Sequence, residues 1–99
     1  MYIQNMEFEW DEEKNKANQK KHRVSFEESA EIFCYSIYEI VDTRFEYGEV
    51  RFIGIGRNSQ MIILTVVYTE REANIRIISV RRANKKEKQL YYDYCTQAY

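Results

Sequence analysis

Between Lys14 and Arg23 the chain gathers five Lys or Arg and its only histidine, His22, with no acid among them. A second basic run, Arg81 to Lys88, sets five bases against the single acid Glu87. Other arginines, Arg44, Arg51, Arg57, Arg71 and Arg76, fall in or beside stretches rich in Ile, Val, Tyr and Thr. Cations on a sheet face suit phosphodiester chemistry. Cleavage of RNA by its own 2′-OH needs no metal and no protein nucleophile. It needs a base for the 2′ proton, an acid for the departing 5′ oxygen, and cations for the phosphorane charge. Lys and Arg supply the cations, and His22 or Glu49 could move the proton. Each assignment has a plainer counterpart. His22 can be a helix C-terminal residue interacting with the dipole. Glu49 beside Arg51 can be a surface pair worth about 0–1 kcal/mol. Basic runs are most often solvated helix faces.

Other chemistries lack their signatures. The chain has no P-loop, no Gly-rich dinucleotide turn, no GxSxG and no HExxH. Cys34 and Cys95 are far apart in sequence and form no CxxC, which argues against a zinc site or a disulfide framework, so no metal or cofactor is expected. The formal net charge of −1 conceals a sorting: runs of +5 and +4 leave −10 for the remainder. Sorted charge can build a basic face on an acidic protein. With 99 residues, the chain is expected to form one domain over 1–99, with 1–5 as an N-terminal extension and Met6 as a natural start. No apolar run is long enough to span a bilayer and no signal layout opens the chain, so a cytoplasmic location is expected.

The elements follow from periodicity. Met6 to Trp10 alternates apolar and acidic residues, as a half-buried strand does. Asp11 can cap a helix that runs through the bases to Arg23 with little apolar surface beyond Ala17. Ser25 and Glu28 form a capping box for a second helix, and this places His22 in the last turn of the first. Tyr38–Phe45, Val50–Ile55, Met61–Thr69 and Asn74–Val80 read as strands of an antiparallel meander. Gly48, Gly56 to Ser59 and Glu72 to Asn74 supply the turns. Asn84 to Tyr94 reads as a closing helix. The expected class is α+β, in the order β-α-α-β-β-β-β-α. On a regular last strand Arg76 and Arg82 share a face and Arg81 takes the other.

These residues also form a family pattern. W-D-x-x-K-x-x-x-N-x-x-K-H-x-V-S-F (Trp10 to Phe26), G-E-x-R (Gly48 to Arg51), Val66-Val67-Tyr68-Thr69 with Arg71, and R-I-I-S-x-R-x-A (Arg76 to Ala83) resemble the BrnT toxins. The resemblance runs from Met6 to about Tyr92. It implies a toxin of a type II toxin–antitoxin module with a RelE-like fold, acting as a metal-independent RNA endonuclease that stops translation. It also implies a ribbon-helix-helix antitoxin of BrnA type, with operator DNA bound through that antitoxin. Carried over by position, Lys21, His22, Glu49, Arg71, Arg76 and Arg81 become the catalytic candidates. Lys14, Asn18, Arg51 and Arg82 become RNA-binding candidates, although Asn18 could equally bind backbone where helix meets sheet. The chain departs from the pattern at Cys34-Tyr35-Ser36, where the family usually has Asp-Pro, and at Val80, where Ala is common. The alternative is a binding module without catalysis that serves as operon co-repressor. A plain sheet protein with a solubilising helix is the third reading.

Overall fold

The computed structural model describes residues 7–44 and 48–97. The possible extension 1–5, Met6 and the strand end at Phe45 lie outside the described residues. Strand β1 (Glu7–Glu9) leads into α1 (Glu12–His22) and α2 (Phe26–Ala30), followed by a 3-10 turn at Glu31–Cys34. Strands β2 (Ile37–Val41), β3 (Phe52–Arg57), β4 (Ile63–Arg71) and β5 (Asn74–Arg82) precede α3 (Lys85–Gln97). The expected order is observed. The sheet runs β1-β5-β4-β3-β2, with β2 to β5 antiparallel and β1 added parallel to β5, so it is mixed.

Strand bounds shift by a few residues. Gly56 and Arg57, expected in a turn, belong to β3, and the turn begins at Asn58. The reason is packing: a Cβ on Gly56 would lie 3.0 Å from Ile32 Cβ, so this glycine lets the 3-10 turn seat against the strand. Gly54 does the same for Tyr68, whose Cε1 would sit 2.9 Å from an added Cβ. The Tyr68 hydroxyl then passes over β3 to reach Glu39 on β2. Burial, and then the Glu39 carboxylate, push that phenol well above its ordinary range.

One sheet face holds the main core, with Leu64, Val66, Tyr68, Ile75, Ile77 and Val80 packed against Val24, Phe26, Ile32 and Phe33. Among the described residues, helix covers the other face at one end. There Tyr91 of α3 packs on Ile55, Ile63 and Ala83, and its hydroxyl donates to Ser36 O at 3.1 Å. Burial, followed by the nearby Cys95 thiol, raises that phenol to about 12. No described helix covers the rest of this second face, called the open face below, and the candidate site lies on it.

Both N-terminal caps form as the sequence dictates. Asp11 accepts from the Glu13 and Lys14 amides, and Ser25 with Glu28 closes the capping box. Arg23 ends α1 in the left-handed region at φ 61°. The buried residues of α1 are Asn15 and Asn18, in place of an apolar stripe. Asn15 accepts from Phe26 N at 2.9 Å and donates to Glu27. Asn18 donates to Val24 O (3.0 Å) and Val80 O (2.8 Å), and accepts from Val80 N (3.2 Å). Among the described residues β1 pairs with Asn74–Arg76, and farther along the same edge of β5 the Asn18 amide serves as its neighbour at Val80.

Candidate functional site

Strand β5 carries an irregularity that decides which arginines act together. Val67 pairs with Ser79 and Tyr68 with Ile77, leaving Ile78 as an extra residue. Beyond this bulge the alternation is offset by one. Ile77 and Val80 both enter the core, while Arg76, opposite Thr69, and Arg81, opposite Thr65, share the open face. The regular-strand expectation for Arg81 is therefore corrected. Arg82, opposite Leu64, leaves from the other side.

At the α3 end of the open face lies a cavity of about 450 Å³. Lys21 and His22 from α1, Ser79 and Arg81 from β5, and Thr65 from β4 line it, together with Glu87 of α3 and Arg44. A shallower groove continues from it past Ser79 and Ile78 to Ala17 and Lys14. The helix supplies Lys21 and His22 because its last turn abuts β5 where Asn18 holds Val80. Lys21 is exposed and His22 half-buried.

Arg81 is held firmly. Its Nη1 and Nη2 donate to the two Glu87 oxygens at 2.7 Å each, and Thr65 Oγ1 donates to Glu87 Oε1 at 3.0 Å. Asn84 caps α3 through a reciprocal pair with Glu87: Asn84 N to Glu87 Oε1 at 2.9 Å and Glu87 N to Asn84 Oδ1 at 2.8 Å. The Arg81 hydrogen bonds, with help from Asn84 and Thr65, hold the Glu87 carboxyl at about 2. In return Glu87 raises Arg81 above its ordinary value. Arg44 is anchored to the buried Asp42 by contacts of 2.8 and 3.0 Å.

The remaining candidates gather elsewhere. Glu49 contacts Arg71 at 3.4 Å and Arg51 at 3.8 Å, while Glu9 contacts Arg76 at 3.1 Å and Arg71 at 4.0 Å. This cluster sits near the β4–β5 turn. Arg76 and Arg81 are separated by roughly 16 Å of strand at about 3.3 Å per residue. The structure thus does not bring Glu49, Arg71 and Arg76 into the cavity with Lys21, His22 and Arg81. Arg51 belongs to the distant cluster as well. Asn18 is bonded to backbone, the second of the two roles open to it, while it also borders the groove beside Lys14. Lys14 lines the groove that leads in. Asn15, Thr65, Ser79, Arg44 and Glu87 were not among the site candidates. Of these Ser79, in the R-I-I-S pattern, and Glu87 matched the family pattern without being given a role; the Asn84-to-Glu87 spacing of a capping box was a further available signal. No group of three or more potential metal ligands occurs among the described residues.

Residues 10–87 match the model of a family described as "Ribonuclease toxin, BrnT, of type II toxin-antitoxin system". The crystal structure of the Brucella abortus ribonuclease toxin BrnT aligns with a TM-score of 0.61 and 23% identity, covering 82% of this chain and 100% of that one. At that identity the likeness concerns the fold. No curated protein matched the chain. No helix among the described residues is long and apolar enough to cross a membrane.

Proposed function

Because the chain belongs to the BrnT family of type II toxin–antitoxin ribonuclease toxins, we propose that its cationic cavity cleaves RNA without a metal. The observation that carries this reading is the convergence of Lys21 and His22 from α1 with Arg81 from β5 on one cavity. In the proposed step, His22 takes the proton of a 2′-OH, and that oxygen attacks the adjacent phosphorus. The bond to the 5′ oxygen breaks, this oxygen takes a proton from solvent water, and His22 returns its own proton to solvent. The products are a 2′,3′-cyclic phosphate and a 5′-OH. Lys21 and Arg81 stabilise the charge on the phosphorane. Arg81 suits that task because its fork with Glu87 fixes the guanidinium before substrate arrives. On this reading the Glu49–Arg71–Arg76 cluster binds or braces and does not react. A RelE-like mechanism, arrest of translation, a BrnA-type ribbon-helix-helix antitoxin and operator binding through it belong to the same proposal.

The test is cleavage of a labelled single-stranded RNA, with and without EDTA, by the wild type and by His22→Ala. Cleavage that survives EDTA and falls at least 100-fold in the variant supports the reading. Intact RNA in every lane, with folded protein, removes it. A second reading rests on the same fork: Glu87 already neutralises Arg81, so the chain would be an inactive partner of an antitoxin that represses their operon. Growth arrest on expression without a partner separates the two, since a pure binding module does not arrest growth.

A further inference from the structure

The second basic run leaves a surface that the cavity does not use. Glu87, its one acid, is consumed by Arg81. Arg82, Lys85, Lys86 and Lys88 remain, all exposed and none in an ion pair among the described residues. The contrast with the other strand arginines is informative. Arg44, Arg51, Arg71, Arg76 and Arg81 each meet a carboxylate, and Arg57 lies 3.6 Å over the Tyr35 ring. Lys85, Lys86 and Lys88 also stand at the start of α3, where the helix dipole disfavours positive charge. Folding alone does not call for bases there.

Arg82 and Lys88 line a groove of about 210 Å³ with Met61 and Tyr92. Tyr92 is 52% and Met61 66% exposed, which leaves a ring and a thioether open to a ligand beside two cations. Lys88 and Tyr92 are four residues apart, on one face of α3. This groove and the cavity flank the same end of β5 and the same first turn of α3: Arg81 and Glu87 line the cavity, while Arg82 and Lys88 line the groove, Arg82 leaving the strand on the side opposite Arg81. A flat aromatic surface beside unpaired cations fits single-stranded nucleic acid, whose bases stack while the backbone is neutralised.

We propose that the Arg82–Lys88–Tyr92 groove is a flanking-nucleotide subsite. A base of the RNA strand leaving the cavity stacks on Tyr92, and its phosphate lies between Arg82 and Lys88. The inference rests on the ribonuclease reading of the cavity. An acidic protein segment is the competing occupant, but adjacency to the cavity and the exposed ring favour RNA.

The test uses full-length protein and 2′-O-methyl RNA, which binds but lacks the attacking hydroxyl, as a 3-mer and a 12-mer. Arg82→Ala with Lys88→Ala is expected to weaken 12-mer binding at least 10-fold, with a smaller loss for the 3-mer. It should also flatten the slope of log affinity against log salt by about 1.4, two phosphates at roughly 0.7 each. Tyr92→Ala is expected to lose about 5-fold or more, with Tyr92→Phe restoring it. Thermal unfolding checks that the exposed substitutions leave the fold intact. Wild-type 12-mer affinity in all these variants, while Arg81→Ala lowers it, overturns the subsite and leaves the ribonuclease reading standing. Loss of antitoxin binding with RNA binding unchanged also overturns it, in favour of a protein partner. A wild type that binds neither oligonucleotide overturns the subsite and the cavity reading together.

Discussion

Arg81 and Glu87 meet fork to fork, two nitrogen–oxygen contacts of 2.7 Å joining the end of a strand to the start of a helix. The carboxylate that orients the guanidinium also caps α3 and accepts from Thr65. One side chain therefore ties helix docking to cavity geometry.

That tie has a pH signature. The Glu87 carboxyl sits at about 2 in the folded protein against an ordinary 4.5. A depressed folded value means its stabilisation is fully present above about pH 4.5 and is lost as pH falls toward 2. After allowance for solvent screening of the half-buried Arg81, the contribution is about 1–2 kcal/mol. Glu87→Gln should lose that much in urea unfolding at pH 7 and show a shallower loss between pH 5 and 2. Identical acid limbs for variant and wild type would contradict this.

Asn18→Ala is expected to destabilise by about 2–4 kcal/mol, because it strands the Val80 amide and carbonyl against a buried edge. Thermal denaturation measures it. Were Asn18 an RNA contact alone, the melting temperature would not move.

The two arginine groups predict unequal effects on RNA cleavage. Arg81→Ala should reduce the rate by about 100-fold or more, as loss of a charge-stabilising donor does. Arg71→Ala and Arg76→Ala, in the distant cluster with Glu9 and Glu49, should cost less than about 10-fold. Equal losses in all three variants, measured on one labelled oligonucleotide, would mean that RNA spans both clusters in the rate-limiting step.

Gly54→Ala should destabilise by about 1–3 kcal/mol, since the new methyl would press on the Tyr68 ring at 2.9 Å. Tyr68→Phe in the same background tests the cause. It removes the hydroxyl that reaches Glu39 but keeps the ring, so the clash should persist in the melting temperature of the double variant.

Much of this arrangement was legible in the residues. Asp11, Ser25 and Glu28 announced both helix starts, and the joint at His22 to Val24 followed from them. Strand composition located the meander. The parallel attachment of β1 was not legible, because pairing partners leave no local periodicity. Neither was the bulge, since Ile78 between Ile77 and Ser79 looks like ordinary strand sequence. Missing it assigned Arg81 to the wrong face. Asn18 was legible as a backbone anchor only as one of two roles, and Asn15 not at all, because helix periodicity is read from apolar residues and here amides do the docking. The arginines were recognised as a set, but spacing could not show that carboxylates divide them into two neighbourhoods.

A one-residue deletion is usually the most disruptive edit to a central strand, because every side chain beyond it changes sides. At Ile78 the arithmetic runs the other way. Its neighbours Ile77 and Ser79 already face consecutive residues, Tyr68 and Val67. Removing Ile78 would close the ladder and leave Arg76 and Arg81 facing as they do now. Because Ile77 and Ile78 are identical, removing either gives the same chain, and removing Ser79 would also close the bulge, but with Ile78 in place of a side chain that lines the cavity. Length changes in β5 are thus tolerable around the bulge, which borders the groove leading from Lys14 to the cavity.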